Sequence, residues 1–297
     1  MYDRRAYLLD VTDRAPTLRS LRALVDVLAG CCYNELWLCR GTFASDLEDD
    51  PPRVAEPKKL AAYCAMQGLD LHEISTADYE QLFLDPMNVC VSTEAPRSLA
   101  GRVEEMRERM EKAEEAGRLR KATRFLVTDL ADGFAWHPPI ASLPGIVMGG
   151  NFAFSGHKAA KMDLELELNR VLDVPLAGLV LKLGTLYLRG GARRDDASEL
   201  FNILSHDVGY SRHPGLTSFV LDDISGVARG VRVAAERWAE RSDMAKEVVY
   251  MANLLDAACH RRDEKRLRSL RDEHGHIWRL RYEQEGRVAS LAKLPRF

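Results

Sequence analysis

The sequence predicts an α/β protein in which a parallel βα region is followed by a purely helical region. Within residues 1–130, five short apolar runs alternate with segments whose apolar residues recur at helical spacing. This alternation is typical of parallel strands joined by helices. After residue 155 the helical patterns continue, and no convincing strand pattern remains. We therefore expect a βα domain at residues 1–155 and a helical domain at residues 156–297.

The predicted strands and helices of the first domain follow from local patterns. The predicted strands are Tyr7–Val11, Glu35–Cys39, Leu69–Ile74, Val89–Ser92 and Phe125–Asp129. Thr17 can cap a first helix, whose apolar residues are Leu18, Leu21, Leu24, Val25 and Leu28. A second helix is predicted over 58–67, with Gly68 ending it. A long charged helix is predicted over 98–120, and the acidic, proline-containing segment 46–52 is predicted to be a loop.

The second domain is predicted to contain helices only. Helical patterns cover Met162–Leu172, Leu176–Arg189, Ala197–Leu204, Thr217–Arg241, Ala245–His260 and Lys265–Glu285. These segments are expected to form a helical extension that packs on the βα domain.

Composition excludes several classes of protein. Hydrophobic residues make up 46% and charged residues 29% of the 297 residues, a balance typical of soluble globular domains. The net charge of −3 leaves no domain-wide basic excess, so no nucleic-acid partner is expected. No apolar run reaches the ~18 residues of a membrane span, and no signal peptide is visible. Six cysteines without a CxxC pair favour a reducing compartment, so the protein is expected to be intracellular, cytoplasmic or organellar.

No motif indicates a cofactor or a metal. Gly149-Gly150 and Gly190-Gly191 do not follow a strand, as a dinucleotide-binding fingerprint requires. His274 and His276 are two residues apart, which places them on different faces of a helix, and no third ligand is evident. We therefore expect no cofactor and no metal ion.

Several segments resemble the family 20 glycoside hydrolases, which include the β-N-acetylhexosaminidases. Leu8–Thr12 with Asn34–Leu38 resembles the first strand–helix–strand of that family, and 61–71 is similar to its helix leading into the third strand. Thr128–Asp132 and Trp136–Pro138 are similar to its last βα units, a match that Ser142, Pro144 and Gly145 continue. The helical second part resembles an all-α extension of this branch. The resemblance implies a TIM-barrel-like domain and an amino-sugar ligand.

The chain departs from the family where the chemistry lies. The family uses substrate-assisted catalysis, in which an Asp orients the 2-acetamido group and the adjacent Glu is the general acid, both following the fourth strand. Here the third strand ends at Ile74, and Val89–Ser92 already resembles the seventh strand, so strands four to six and the catalytic pair are missing. Asp272-Glu273 lies in a predicted C-terminal helix. Arg14 stands one place beyond the family's sugar-binding arginine. The resemblance therefore implies a shortened barrel of about five strands without catalytic residues.

Eight residues near the predicted strand ends are candidates for ligand binding: Asp10, Arg14, Arg40, Glu73, Glu94, Asp129, Asp132 and Trp136. Polar residues at the C-terminal ends of parallel strands form the sites of barrel folds. Asp129 and Asp132 match acidic positions of the family and could bind sugar hydroxyls, act as an acid/base pair, or cap a turn. Trp136 could stack on a sugar ring or pack over the barrel end. Glu73 and Glu94 could reach the same site or be ordinary turn carboxylates, and Arg40 could meet an anionic ligand or pair with an acid.

A sheet of five strands cannot close like an eight-stranded barrel, so two edges need cover. The third and fourth predicted strands could pair, the C-terminal helices could fill the gap, or a partner subunit could do so. The sequence thus predicts a non-catalytic protein that is a structural or accessory subunit or a carbohydrate-binding module, in a homo-oligomer or a larger complex. The alternative is an active N-acetylhexosaminide hydrolase with relocated acids, such as Asp129 or Glu73.

Overall fold

The computed structural model describes residues 1–12, 14–40, 56–130, 136–191, 197–206, 210–284 and 286–294. The strands are β1 (Arg4–Asp10), β2 (Glu35–Arg40), β3 (Asp70–Ser75), β4 (Asn88–Ser92) and β5 (Arg124–Asp129). The helices are α1 (Leu18–Gly30), α2 (Pro57–Met66), α3 (Thr76–Leu84), α4 (Val103–Arg120), α5 (Leu143–Ser155), α6 (Leu164–Val171), α7 (Ala177–Gly184), α8 (Glu199–Ser205), α9 (Ser218–Glu236), α10 (Asp243–Cys259), α11 (Glu264–Arg281) and α12 (Arg287–Lys293). Short 3-10 helices cover Pro139–Ser142, Gly156–Lys161 and Leu186–Gly191.

The five strands form one parallel sheet in the order β3-β2-β1-β5-β4. β1 is central, with Ala6 opposite Glu35 of β2 and Leu126 of β5. The prediction of a five-stranded parallel sheet is therefore confirmed. β3 and β4 are its edges, and among the described residues the two do not pair with each other. The sheet is thus open between β3 and β4 in the part of the chain that the structure describes.

Side chains alternate between two differently covered faces of the sheet. Tyr7, Leu9 and Val127 belong to the large hydrophobic core, which continues into α1, α4 and α5. Leu8 and Leu126 point to the opposite face and form a much smaller cluster with Ala6 and Cys39. Because the alternation has a period of two, each strand supplies residues to both layers.

The smaller face is covered by α3, a helix that the sequence patterns did not predict. Tyr79 and Leu82 of α3 pack against the cluster around Leu8, and α3 contacts β2, β3 and β4. Ser75 caps the helix by accepting a hydrogen bond from the Asp78 backbone N–H at 3.4 Å. Of the three ways to cover the open sheet, cover by a helix is the one observed, but the helix is α3 and not a C-terminal helix.

Among the described residues after 155, all regular elements are helices, as predicted, and non-helical segments only connect them. These helices extend the main core instead of forming a second one, because the same hydrophobic cluster joins Leu9 and Val127 to Leu254 of α10. Tyr282, which follows α11, forms an isolated antiparallel bridge with Pro16, in the segment between β1 and α1. The boundary at residue 155 stays a prediction. No helix in the described ranges is both long and apolar enough to cross a membrane.

Most predicted elements are confirmed, with one clear correction. Thr17 caps α1 through its side chain, and Gly68 follows α2 with a φ of 76°. The charged helix, however, begins at Val103 and not at Ser98. The preceding loop cannot be helical, because its residues Glu94, Arg97, Leu99 and Gly101 have left-handed backbone angles (φ 57°, 55°, 67° and 87°). The predicted loop 46–52 lies outside the described residues.

Two glycines let α5 approach the rest of the core closely. A Cβ atom on Gly150 would lie 2.1 Å from the backbone oxygen of Cys31, and one on Gly149 would lie 2.3 Å from Val127 Cγ2. Neither distance is possible without movement of the neighbour, because protein interiors are close-packed. Helix α5 can therefore approach β5 and the end of α1 this closely only because both positions are glycine.

We expect Gly150→Ala to lower the free energy of unfolding by about 1–3 kcal/mol, since the new methyl group meets backbone that cannot rotate away. The matched control is Gly226→Ala on α9, where an added Cβ has nothing within 4 Å. That change should stabilise by about 0.5–1 kcal/mol through helix propensity. Urea unfolding of both variants measures the difference, and equal effects would contradict the packing described for α5.

Candidate functional site

The parallel pairing of β1 and β5 brings two predicted site residues together. Leu9 lies opposite Asp129 in the sheet, so both strands end at the same edge. The chain leaving β1 returns Arg14 to this edge, where its Nη2 lies 3.7 Å from Asp129 Oδ1. The side chains of Arg14 and Asp129 are only 3% and 4% exposed. The two residues therefore form a buried ion pair.

Asp129 has one oxygen fully engaged and one without a hydrogen bond. Its Oδ2 accepts from the Tyr7 hydroxyl at 3.0 Å and from the Ser142 hydroxyl at 2.6 Å. Its Oδ1 faces Arg14 and His137, whose Nε2 is 3.8 Å away, but accepts no hydrogen bond from a described residue. Burial alone would raise the pKa of Asp129, yet His137, the charge of Arg14 and the Ser142 hydroxyl outweigh it and hold that pKa well below its usual range. The carboxylate is therefore ionised at neutral pH.

His137 and Tyr282 complete the surroundings of Arg14. Burial and the charge of Arg14 lower the pKa of His137, although Asp129 acts in the opposite direction, so the imidazole is neutral at pH 7. Its Nε2 lies 3.5 Å from Arg14 Nη2. Arg14 Nη1 donates to the Tyr282 hydroxyl at 3.2 Å, and the guanidinium lies 5.6 Å from the centre of the Tyr282 ring. We call Tyr7, Arg14, Asp129, His137, Ser142 and Tyr282 the Asp129 cluster.

A cavity of about 100 Å³ lies next to the Asp129 cluster. Most of its wall is aliphatic: Leu9, Leu21, Leu24, Val27, Ile140, Leu143, Ile146 and Met244 contribute to it. Tyr7, Arg14, Asp129 and Tyr282 of the cluster also line it. The combination of a mainly apolar wall and a few convergent polar groups is typical of small-molecule sites.

A second buried ion pair lines the same cavity. Glu247 of α10 pairs with the Nε of Arg281, and its Oε2 accepts from the Ile140 backbone N–H at 2.9 Å. Burial raises the pKa of Glu247, while Arg281 and the Ile140 N–H act to lower it. Both oxygens of Glu247 are thus occupied by donors from the protein. The cavity is therefore lined by two arginines and two carboxylates, and each arginine pairs with one carboxylate.

The site lies on the face of the sheet that the large hydrophobic core covers. Alternation along β5 puts Asp129 on the side of Phe125 and Val127, whereas Leu126 and Thr128 point to the face that α3 covers. A ligand in the cavity would consequently sit between the sheet and its helices. Reasoning from strand ends gave no information on this choice of face, and the site itself stays a prediction.

Of the other predicted residues, none that the structure describes lines the cavity. Asp10 is buried and accepts a hydrogen bond from the Thr12 backbone N–H at 2.9 Å, which closes a turn after β1. Glu73 lies exposed on the edge strand β3. Trp136 is 1% exposed and packs against Phe201, with ring centres 5.4 Å apart. The Arg40 side chain and Asp132 lie outside the described residues.

Glu94 belongs to a separate buried ion cluster at the start of α4. It pairs with Arg102 and, at 3.1 Å, with Arg109, while Arg102 also pairs with Glu105 at 2.6 Å. Burial raises the pKa of Glu94, against the opposing charges of Arg102 and Arg109. None of these four residues lines the cavity. The cluster fixes the strained loop between β4 and α4.

Four residues of the Asp129 cluster were not among the sequence-predicted site residues: Tyr7, His137, Ser142 and Tyr282. His137 and Ser142 stand in the segments on which the expected likeness to family 20 rests, and this was the available signal. Tyr282 carries no local signal, because it reaches the cluster only through the packing of α11. In the described residues, no group of three or more His, Cys, Asp or Glu side chains is placed to hold a metal ion.

Fold and site together define an α/β protein with an open parallel sheet, a helical C-terminal region and a small, partly polar cavity between them. In comparisons with known proteins, no protein-family model and no curated protein matches the chain.

We expect Asp129→Asn to lower the free energy of unfolding at pH 7 by about 3–5 kcal/mol, because Arg14 would be left buried without its countercharge. The folded-state pKa of Asp129 is depressed, so its contribution is present above the unfolded pKa of about 4 and is lost as pH falls below it. The difference between wild type and variant should therefore shrink between pH 7 and pH 3 in urea unfolding.

The control for this prediction is Asp222→Asn, which removes a carboxylate exposed on α9. Its effect should stay within about 0.5 kcal/mol. A loss of stability at Asp129 that is the same at both pH values would contradict the assignment of an ionised, paired carboxylate.

Proposed function

We propose that the protein is a non-catalytic binding protein built on a shortened barrel of the family 20 glycoside hydrolase type, and that its ligand occupies the cavity beside the Asp129 cluster. The strand order supports the barrel origin. In a closed barrel the last strand lies beside the first, and here β5 pairs with β1 while β4 and β3 are the edges. Removal of three consecutive strands from an eight-stranded barrel would leave this order.

The ionised state of the Asp129 carboxylate carries the proposal. A general acid must hold a proton near neutral pH, and its pKa is normally raised for that purpose. The pKa of Asp129 is instead held well below its usual range, and its Oδ2 already accepts two hydrogen bonds. Asp129 is thus suited to accept a hydrogen bond from a ligand and not to give up a proton.

Glu247 is the carboxylate that would favour a hydrolase, since its pKa is shifted in the opposite direction to that of Asp129 and it lines the same cavity. Pairs of this kind can act as acid and base. However, one oxygen of Glu247 pairs with Arg281 and the other accepts from Ile140. Neither oxygen is available to pass a proton to a substrate.

The amino sugar that the resemblance implies is not the occupant that this wall favours. A pyranose carries hydroxyl groups around its ring, and each one needs a partner once it is buried. The cavity offers polar groups at one end only, and its remaining wall is aliphatic. Trp136, the candidate for stacking on a sugar, is buried against Phe201.

A role as a subunit of an assembly is the second candidate, and one surface favours it. Phe83 and Leu84 at the end of α3 and Met87 before β4 are 43%, 73% and 42% exposed. They lie beside the open edge strand β4. Exposed apolar groups next to an uncovered strand edge are typical of protein–protein contacts.

The first test is a hydrolysis assay of the purified chain on aryl N-acetylglucosaminide and N-acetylgalactosaminide. We expect no turnover, because neither buried carboxylate can act as an acid. Turnover that disappears in Asp129→Asn or Glu247→Gln would overturn the proposal and restore the hydrolase alternative. Circular dichroism of each variant establishes that it is folded.

The assembly role is tested by the mass in solution. If the surface around Leu84 joins subunits, the wild type should exceed the 33.4 kDa monomer and Leu84→Asp should reduce it to that mass. Leu119→Asp is the matched control, since Leu119 is 71% exposed on α4. A monomeric wild type, or a control that dissociates equally, would contradict this role. Light scattering during size-exclusion chromatography gives the masses.

A further inference from the structure

We infer that the cavity beside the Asp129 cluster binds a small, electrically neutral molecule with an aliphatic or ring-shaped apolar body and a hydroxyl head. This inference rests on the proposed binding function and adds the chemical class of the ligand. It is carried by three properties of the cavity: its size and wall, its balanced charge, and two polar atoms of its lining residues that lack a hydrogen bond.

The size and wall determine the body of the ligand. The cavity holds about 100 Å³, and aliphatic side chains from α1, α5 and α10 form most of its surface. A cavity of about 150 Å³ with such a wall accepts benzene. The body should therefore be an apolar group of about six carbon atoms or fewer.

The charge balance excludes an ionic ligand. Arg14 is paired with Asp129, and Arg281 is paired with Glu247, with all four side chains largely buried. The wall therefore presents no net charge. An ammonium or carboxylate ligand would lose its hydration without gaining a free countercharge, which is strongly unfavourable.

The polar head follows from two buried atoms of the lining residues that make no hydrogen bond. Asp129 Oδ1 and Arg14 Nε are buried and make no hydrogen bond with any described residue. One is an acceptor and the other a donor, and both side chains line the cavity. A hydroxyl group donates one hydrogen bond and accepts others, so it matches this pair, whereas a hydrocarbon matches neither atom.

Access is available along α1. Ser20, Ala23, Leu24 and Val27 line the cavity and are only half-buried, and Met244 of α10 is half-buried opposite them. These α1 positions are three or four residues apart and so form one stripe of the helix. A ligand can thus enter between α1 and α10 without opening the sheet.

The test compares probes that share one body and differ in the head: cyclohexanol, cyclohexylammonium and cyclohexanecarboxylate. Binding is followed at pH 7 by protein-detected NMR titration. Cyclohexanol should bind at least about tenfold more tightly than either ion, because only the neutral head avoids an unpaired buried charge. Equal or tighter binding of an ion, or no binding of cyclohexanol, would overturn the inference.

Two matched variants locate the bound probe. Ala23→Trp fills the cavity from α1 and should weaken cyclohexanol binding at least about tenfold, because a packed site cannot hold both groups. Ala62→Trp makes the same change at an exposed position of α2 and should leave the affinity unchanged. Equal loss in both variants, or binding that survives Ala23→Trp, would place the probe elsewhere and overturn the inference. Leu24→Phe narrows the same stripe more mildly and replaces Ala23→Trp if that variant does not fold.

The outcomes separate the two proposals. Absence of cyclohexanol binding in a protein that also lacks hydrolytic turnover would refute the ligand class and leave the non-catalytic assignment intact. Turnover of the aryl hexosaminides would refute the non-catalytic assignment, whatever the result of the probe titration.

Discussion

The parallel pairing of β1 with β5 is the contact on which the rest of the structure depends. It joins segments far apart in sequence, since Tyr7 and Asp129 are separated by 122 positions and share a hydrogen bond. Because the two strands run in the same direction, their C-terminal ends meet at one edge. The turn after β1 then brings Arg14 to Asp129, and α5 packs across both strands. Core and site thus arise from one pairing.

The buried ion pair of Arg14 and Asp129 has a property that close packing alone does not require. A buried ion pair is weak evidence for stability, because apolar residues of similar size often serve as well. Here the pair is only partly satisfied, with Arg14 and His137 facing Asp129 Oδ1 just beyond hydrogen-bonding distance. A partly satisfied polar group next to an apolar cavity is the arrangement expected of a site that a ligand completes.

The open five-stranded sheet imposes a second constraint, which the structure meets locally. Five strands leave two edges and one thinly covered face, and α3 packs over that face. After β4, the loop that leads into α4 holds Glu94, Arg97 and Leu99 in left-handed conformations. These conformations cost of order 1–3 kcal/mol each. The ion cluster of Glu94 with Arg102 and Arg109 sustains this loop. The strained loop after β4 and the exposed apolar groups before it thus both adjoin this edge strand.

The sequence by itself determined the five strands, most of the helices and the edge of the sheet at which Arg14 and Asp129 meet, because these depend on local periodicity and on parallel strand direction. It did not predict α3, which at nine residues is too short to show a clear helical period, nor the start of α4, where buried ion pairs override helical spacing. Only the tertiary structure decided the face on which Asp129 lies, since the register of β5 against β1 sets it. It alone brought Tyr282 and Glu247 to the cavity, because packing of α10 and α11 against the sheet depends on the whole core and not on any local pattern.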